Sequence, residues 1–191
     1  MNVAVYADIH SRELVFPNTR PEFVFLLGDI HWRDVKRIDQ HFTKNYLMPV
    51  PCIGVIGNHD VLDTFNHTNI VNIHQRQVEI NGVRFGGFGG SPKYNNKYNS
   101  GQYEEWEAEK HVRKMKEVDI FLAHSNPAFH ISNDTADSHR GFLAFKKIIE
   151  LGKTKYFFHG HIHENSLKEY KDVKVISTFG LREYTLSLEK R

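Results

Sequence analysis

The chain has 191 residues, of which 40% are hydrophobic and 25% charged, and its formal net charge is +2. That length supports one sizeable core, so a single domain over 1–191 is expected, and the composition excludes a disordered or fibrous chain. So small a charge gives no argument for nucleic acid or an anionic membrane as partner.

The first predicted element is a strand, Val3-Ala4-Val5-Tyr6, with neither the basic start nor the long apolar run of a signal peptide. Phe23 to Leu27 is a second strand, and Asp34 to Tyr46 a helix with Val35, Ile38, Phe42 and Tyr46 at helical spacing. Cys52 to Ile56 is a third strand. Its cysteine, alone in the chain, excludes an intramolecular disulfide and sits in the apolar setting of a small buried side chain. Gln77 to Phe88 carries the signal of a hairpin turning at Asn81-Gly82. An amphipathic helix follows over Tyr103 to Glu117, then a strand at Ile120 to Ala123 and a helix over His139 to Leu151. Tyr156 to Phe158 is a further strand. Ser166–Tyr170 and Val173–Ser177 pair across Lys171-Asp172, and Tyr184–Leu188 alternates as a last strand. No apolar stretch reaches the roughly 18–20 residues of a membrane helix. A cytoplasmic protein without membrane contact is the expectation.

Histidine is the compositional outlier, with 13 copies. Most fall in polar bursts directly after the apolar runs: Asp8 and His10, Gly28-Asp29, Gly57-Asn58-His59-Asp60, His124, and His159-Gly160-His161-Ile162-His163. Near-continuous apolar runs are strands buried on both faces, and groups at their carboxyl ends line the crevice of a layered α/β fold. Residues two apart in extended chain point the same way, so Asp8 pairs with His10 and His161 with His163. The donors are oxygen and imidazole nitrogen without thiolate, a set suited to manganese, iron, nickel, zinc or cobalt rather than structural zinc.

Asp8-x-His10, Gly28-Asp29, Gly57-Asn58-His59-Asp60, His124 and Gly160-His161-x-His163, in that order, resemble the signature of the calcineurin-like metallophosphoesterases, in particular small bacterial and phage members. The resemblance implies an α/β fold, a layered α/β/β/α sandwich of mixed sheets, with a dinuclear metal site at the carboxyl-terminal edge of the strands. It implies that Asp8, His10 and His163 hold one divalent metal and Asn58, His124 and His161 the other, with Asp29 bridging. Manganese is the first choice of metal. A carboxylate can offer an oxygen to each of two cations, which suits Asp29 to that place. It further implies phosphoester hydrolysis by a hydroxide shared between the metals. His59 would contact the phosphate and assist the leaving group, with Asp60 orienting its imidazole.

Second-tier features are weaker. Arg33 stands four residues after Asp29, where protein phosphatases of the family carry a phosphate-binding arginine, but Trp32 replaces their acidic residue. Arg33 is therefore expected at a solvated helix start, and His31 in a structural role. His159, His130 and His139 are expected near the site, as is Asp137 to Gly141. Lys93 to Tyr103 alternates aromatic and polar residues, and is an ordinary surface loop or the place where a base stacks. The chain leaves no room for a large cap domain, so small phosphoesters, nucleotide-like ones included, are the expected substrates. Phosphodiester cleavage is preferred, with a phosphomonoesterase or protein phosphatase as the alternative, and a non-catalytic scaffold as the reading from another class. Oligomeric state is left open.

Overall fold

The computed structural model describes residues 1–10, 12–95, 101–128 and 137–188. One mixed sheet contains β1 (Asn2–Ala7), β2 (Phe23–Leu26), β3 (Cys52–Gly54), β4 (Val71–Asn72) and β13 (Gly180–Thr185), in the order β13-β1-β2-β3-β4. β1 through β4 are parallel and β13 is antiparallel to β1. The second sheet contains β5 (Arg76–Ile80), β6 (Val83–Phe88), β9 (Ile120–Ala123), β10 (Tyr156–His159), β11 (Ser166–Tyr170) and β12 (Val173–Ser177). Its order is β11-β12-β10-β9-β6-β5, a parallel centre with an antiparallel hairpin at each edge. A two-stranded parallel pair, β7 (Ser91–Pro92) and β8 (Gln102–Tyr103), stands apart.

Strand alternation divides the apolar residues among three packing layers. Val3, Val5, Phe23, Phe25, Ile53, Phe85, Ile120 and Phe158 fill the space between the sheets. Tyr6, Val24, Leu26 and Cys52, one position out of step, face α1 (Trp32–Lys44) and its Val35, Ile38 and Phe42. Phe121, Phe157 and Val175 face α2 (Glu105–Lys114) and α3 (Leu143–Glu150) on the far side of the second sheet. The result is the expected α/β/β/α layering. Strands buried on both faces need apolar residues at nearly every position, which is why they appear as unbroken runs.

Several boundaries differ from expectation, α1 starting and ending two residues earlier and β2 and β3 stopping one and two residues sooner, and three others have a clear cause. The last strand is Gly180–Thr185 rather than 184–188, because its partner β1 runs from Asn2 to Ala7 and the register Asn2↔Thr185 ends the ladder. The alternation of Tyr184, Leu186 and Leu188 is real, since all three pack between the sheets. α2 begins later than expected because Gln102 and Tyr103 pair with β7. α3 begins at Leu143 because Phe142 is held extended in a parallel bridge to Pro127.

Candidate metal centre

The carboxyl ends of β1, β2, β3, β9 and β10 deliver their polar residues to one rim, where backbone hydrogen bonds lash the loops together. Asp8 N–H donates to Gly28 O at 3.1 Å and His10 N–H to Asp29 O at 3.2 Å. Gly160 N–H donates to His124 O at 3.0 Å, and His161 N–H to Asp8 Oδ2 at 2.8 Å. The turns are tight. Asp8 (φ 52°), Asp29 (53°), His161 (71°) and His163 (51°) all sit in the left-handed region, at a cost of about 1 kcal/mol or more each. Such strain persists where the surrounding structure over-determines it. Gly28 (φ 92°) and Gly57 meet back to back, and a Cβ on Gly57 would lie 2.0 Å from Asp29 Oδ1. No other residue fits there.

Among the described residues, two groups of side chains have ligand atoms all within 4.8 Å of one another: Asp8, His10 and His163, and Asp8, Asp29 and His124. Asp8 is common to both, whereas the family resemblance gives that place to Asp29. His10 and His163 are exposed; Asp8, Asp29 and His124 are buried. Asn58 and His161 flank the buried group. Asn58 Oδ1 lies 2.9 Å from His124 Nε2, and the His161 and His124 rings are 4.8 Å apart.

The hydrogen-bonding of these groups fits cations. Asp8 Oδ1 is buried with no hydrogen-bond partner among the described residues, His163 Nε2 standing 3.6 Å away, although an unsatisfied buried carboxylate oxygen is costly. His124 Nδ1 sits 2.8 Å from Leu27 O and must donate to it. In the neutral ring that leaves the Nε2 lone pair facing Asn58 Oδ1 and, at 3.6 Å, Asp29 Oδ2. Three acceptors turned on one another need a positive charge among them. Burial opposes a proton on His124, but the carboxylates of Asp29 and Asp8 outweigh it and raise its pKa. His161 Nε2 donates to Ser138 O at 2.7 Å, which leaves its lone pair on Nδ1. Burial, then the neighbouring His124, holds His161 well below the usual histidine range. Asp8 pulls His163 the other way, upward.

Residues 1–165 match the family model described as calcineurin-like phosphoesterase. The chain belongs to that family. Solved structures share its fold at low identity. TT1561 of Thermus thermophilus aligns at TM-score 0.63 and 14% identity over 94% of this chain and 89% of that one. The phosphopantetheinyl hydrolase PptH of Mycobacterium tuberculosis aligns at 0.60 and 12%, over 96% and 95%. A structure titled a novel archaeal phosphodiesterase aligns at 0.52 and 16%, over 97% and 100%. No curated protein sequence matches significantly. Members of the calcineurin-like phosphoesterase family typically bind two divalent metals, and the two side-chain groups here are candidates for holding them.

The remaining expectations for a calcineurin-like phosphoesterase fare unevenly. His59 is exposed at the rim, its backbone N–H donating to Asp29 Oδ1 at 2.8 Å and its ring 5.9 Å from that of His10. Asp60 departs from its expected part as partner of the His59 imidazole. Its Oδ2 accepts from Asp29 N–H and Gly57 N–H, both at 2.8 Å, and its Oδ1 from Ile30 N–H at 3.0 Å. It ties the second and third ligand loops together. Burial and the neighbouring Asp29 push Asp60 up to about 6, against the pull of its N–H donors. Arg33 lies over the Trp32 ring at 5.3 Å, and His31 caps α1 by accepting from Arg33 N–H, as expected of a helix start. His159 is buried with Nδ1 turned to Gly160 O. His139 packs edge-on to His161 at 4.8 Å, and His130 lies outside the described residues. The 93–103 loop splits. Tyr94 receives a hydrogen bond from Asn58 Nδ2, Tyr103 packs on Phe88 and His74, and Lys97 and Tyr98 lie outside the described residues.

Leu27 takes part in the centre without having been expected there, and Ser138 and Tyr94 were expected only as members of segments near it. The first two act through main-chain carbonyls, which carry no residue-type signal. Tyr94 is marked in the sequence only as part of an aromatic loop.

Proposed function

We propose that this phosphoesterase hydrolyses phosphodiesters of small substrates, nucleotide-like ones included, using two divalent cations with manganese as first choice. The observation that carries the reading is Asp8, a buried carboxylate that belongs to both groups of ligand atoms and whose Oδ1 has no hydrogen-bond partner among the described residues. Asp8, His10 and His163 would hold one cation and Asn58, His124 and His161 the other, with Asp29 between them. When bound, such a pair supplies an activated water at neutral pH and neutralises the phosphoryl oxygens.

The chain's own residues supply the rest. Asp60 fixes the Asp29 and Asn58 loops against each other through backbone N–H groups. His59, anchored by its N–H to Asp29, presents an exposed imidazole at the mouth, able to hand a proton to the departing oxygen. A solved relative in fold titled a phosphodiesterase supports the diester preference. Among the described residues no helix is long and apolar enough to cross a membrane, and a cytoplasmic setting belongs to the same proposal.

The test is hydrolysis of bis-p-nitrophenyl phosphate against p-nitrophenyl phosphate by metal-stripped protein reloaded with Mn²⁺. Diester cleavage is expected, falling by about 10²-fold or more in His59→Gln. Asp29→Asn is expected to lose both cation uptake and turnover. Preference for the monoester makes the protein a phosphomonoesterase. Turnover of neither, with two cations bound, refutes the hydrolase.

A further inference from the structure

The second ligand group ends in an amide, and an amide has two faces. Asn58 Oδ1 looks toward His124 Nε2 at 2.9 Å, on the cation side. Nδ2 then needs an acceptor pointing the other way, because a buried N–H left without one is costly. The Tyr94 phenol oxygen supplies it at 3.1 Å.

The phenol is not there by chance of a loose loop. Gln102 Oε1 accepts from the N–H groups of Tyr94 and Asn95 at 3.0 and 3.2 Å, and Gln102 Nε2 donates to Asn95 Oδ1 at 2.9 Å. On one side of Tyr94, Lys93 N–H donates to Tyr103 O at 3.0 Å. The pair β7–β8 closes the base of this lobe. Gly101, at its return, presses on the Asn58 loop so closely that a Cβ there would lie 2.4 Å from Gly57 O. The described residues on either side of this lobe pack directly on the ligand loop. Across the mouth, Arg140 Nη2 donates to Lys93 O at 3.0 Å, which joins the lobe to the segment carrying Ser138.

We infer that Tyr94 is a positioning residue for the buried half of the metal centre, holding Asn58 with its oxygen toward the cation. The inference rests on the reading of Asn58 as a ligand. Gln102 is the clamp that keeps the phenol in place. A groove-lining aromatic, by contrast, would present its ring to substrate and leave cation binding untouched by loss of the hydroxyl.

Calorimetric titration of metal-stripped protein with Mn²⁺ separates these roles. The unsubstituted chain is expected to take up two cations. Tyr94→Phe should weaken one of them by about 10-fold, the usual effect of removing a hydrogen bond behind a metal ligand, and leave the other unchanged. The thermal midpoint of the metal-free variant should fall by only about 2–8 °C with a cooperative transition, the cost of one unpaired amide N–H, which distinguishes a lost hydrogen bond from a damaged fold. Gln102→Ala, which keeps the phenol but frees its backbone, should weaken the same cation by less. Undiminished uptake of both cations by Tyr94→Phe overturns the inference while the metal centre stands. A parent chain that takes up no second cation overturns the inference together with the reading beneath it.

Discussion

His124 and His161 on one side, and His74 and His111 on the other, are imidazoles held away from water in two separate parts of the molecule. They are used in opposite ways. His124 and His161 each spend one nitrogen as donor to a main-chain carbonyl, Leu27 O and Ser138 O, which leaves a lone pair to face the centre. His74 instead accepts through Nδ1, from Gly89 N–H at 3.0 Å, and its ring packs on Phe88 and Tyr103. His111 packs near Phe88 and Phe121, and its buried Nε2 has no hydrogen-bond partner among the described residues. Burial pushes both His74 and His111 down to about 4, with a smaller mutual repulsion acting on His74. The use of a histidine is therefore told by what its second nitrogen faces. Depth of burial does not tell it.

Acid should break the comparison most visibly. Above pH 6.5 His74 and His111 are neutral whether the chain is folded or not, and their contribution to stability is whole. As pH falls from 6.5 toward 4 the unfolded rings take up protons that the folded rings refuse. Stability should drop by up to about 3 kcal/mol per ring, levelling below pH 4. Denaturant midpoints of metal-free protein at pH 7 and pH 4.5 measure this. His111→Phe should remove roughly half of the slope contributed by the pair, and an unchanged slope would refute its assignment as a packing group. The centre offers a second lever. Gly57→Ala drives a methyl group into Asp29, and should cost about 3 kcal/mol and abolish Mn²⁺ uptake beside Asp29. Retention of both cations would show that the ligand loops have more slack than their contacts imply. The smallest effect belongs to Phe179. Its ring stacks on His163 at 4.9 Å and carries the Arg12 guanidinium at 3.9 Å. Phe179→Ala should weaken the exposed cation by about 2–5-fold, the size of one such contact at a surface, with the buried cation unaffected.

Much of this was legible in the chain alone, for physical reasons that can be named. Strands covered on both faces must be apolar throughout, so β1, β2, β9 and β10 stood out as runs, and the residues after them converged as expected. The Asp-x-His and Gly-His-x-His spacings marked the candidate ligands, although not as extended chain: Asp8, His161 and His163 have left-handed backbones, and His163 groups with Asp8 and His10 rather than with His161. Closure by distant segments left fainter marks. β13 owes its limits to the length of β1, and β7–β8 to a pairing of two residues on each side. The carbonyls of Leu27 and Ser138 could belong to any residue type. Asp60 shows the converse: the motif marked it as important, but its bonds to Gly57, Asp29 and Ile30 make it a loop fastener rather than a partner of His59.

Asp8, Asp29, His161 and His163 carry side chains in backbone shapes that glycine adopts freely. At those four positions evolutionary drift toward an easier fold and retention of chemistry pull in opposite directions. A library of variants sorted only by heat resistance would accept glycine first at exposed His163, because Asp8, Asp29 and His161 also hold backbone groups that glycine would leave unpaired. It would return sturdier proteins with a depleted centre, so selection of this chain for robustness needs turnover as a second criterion.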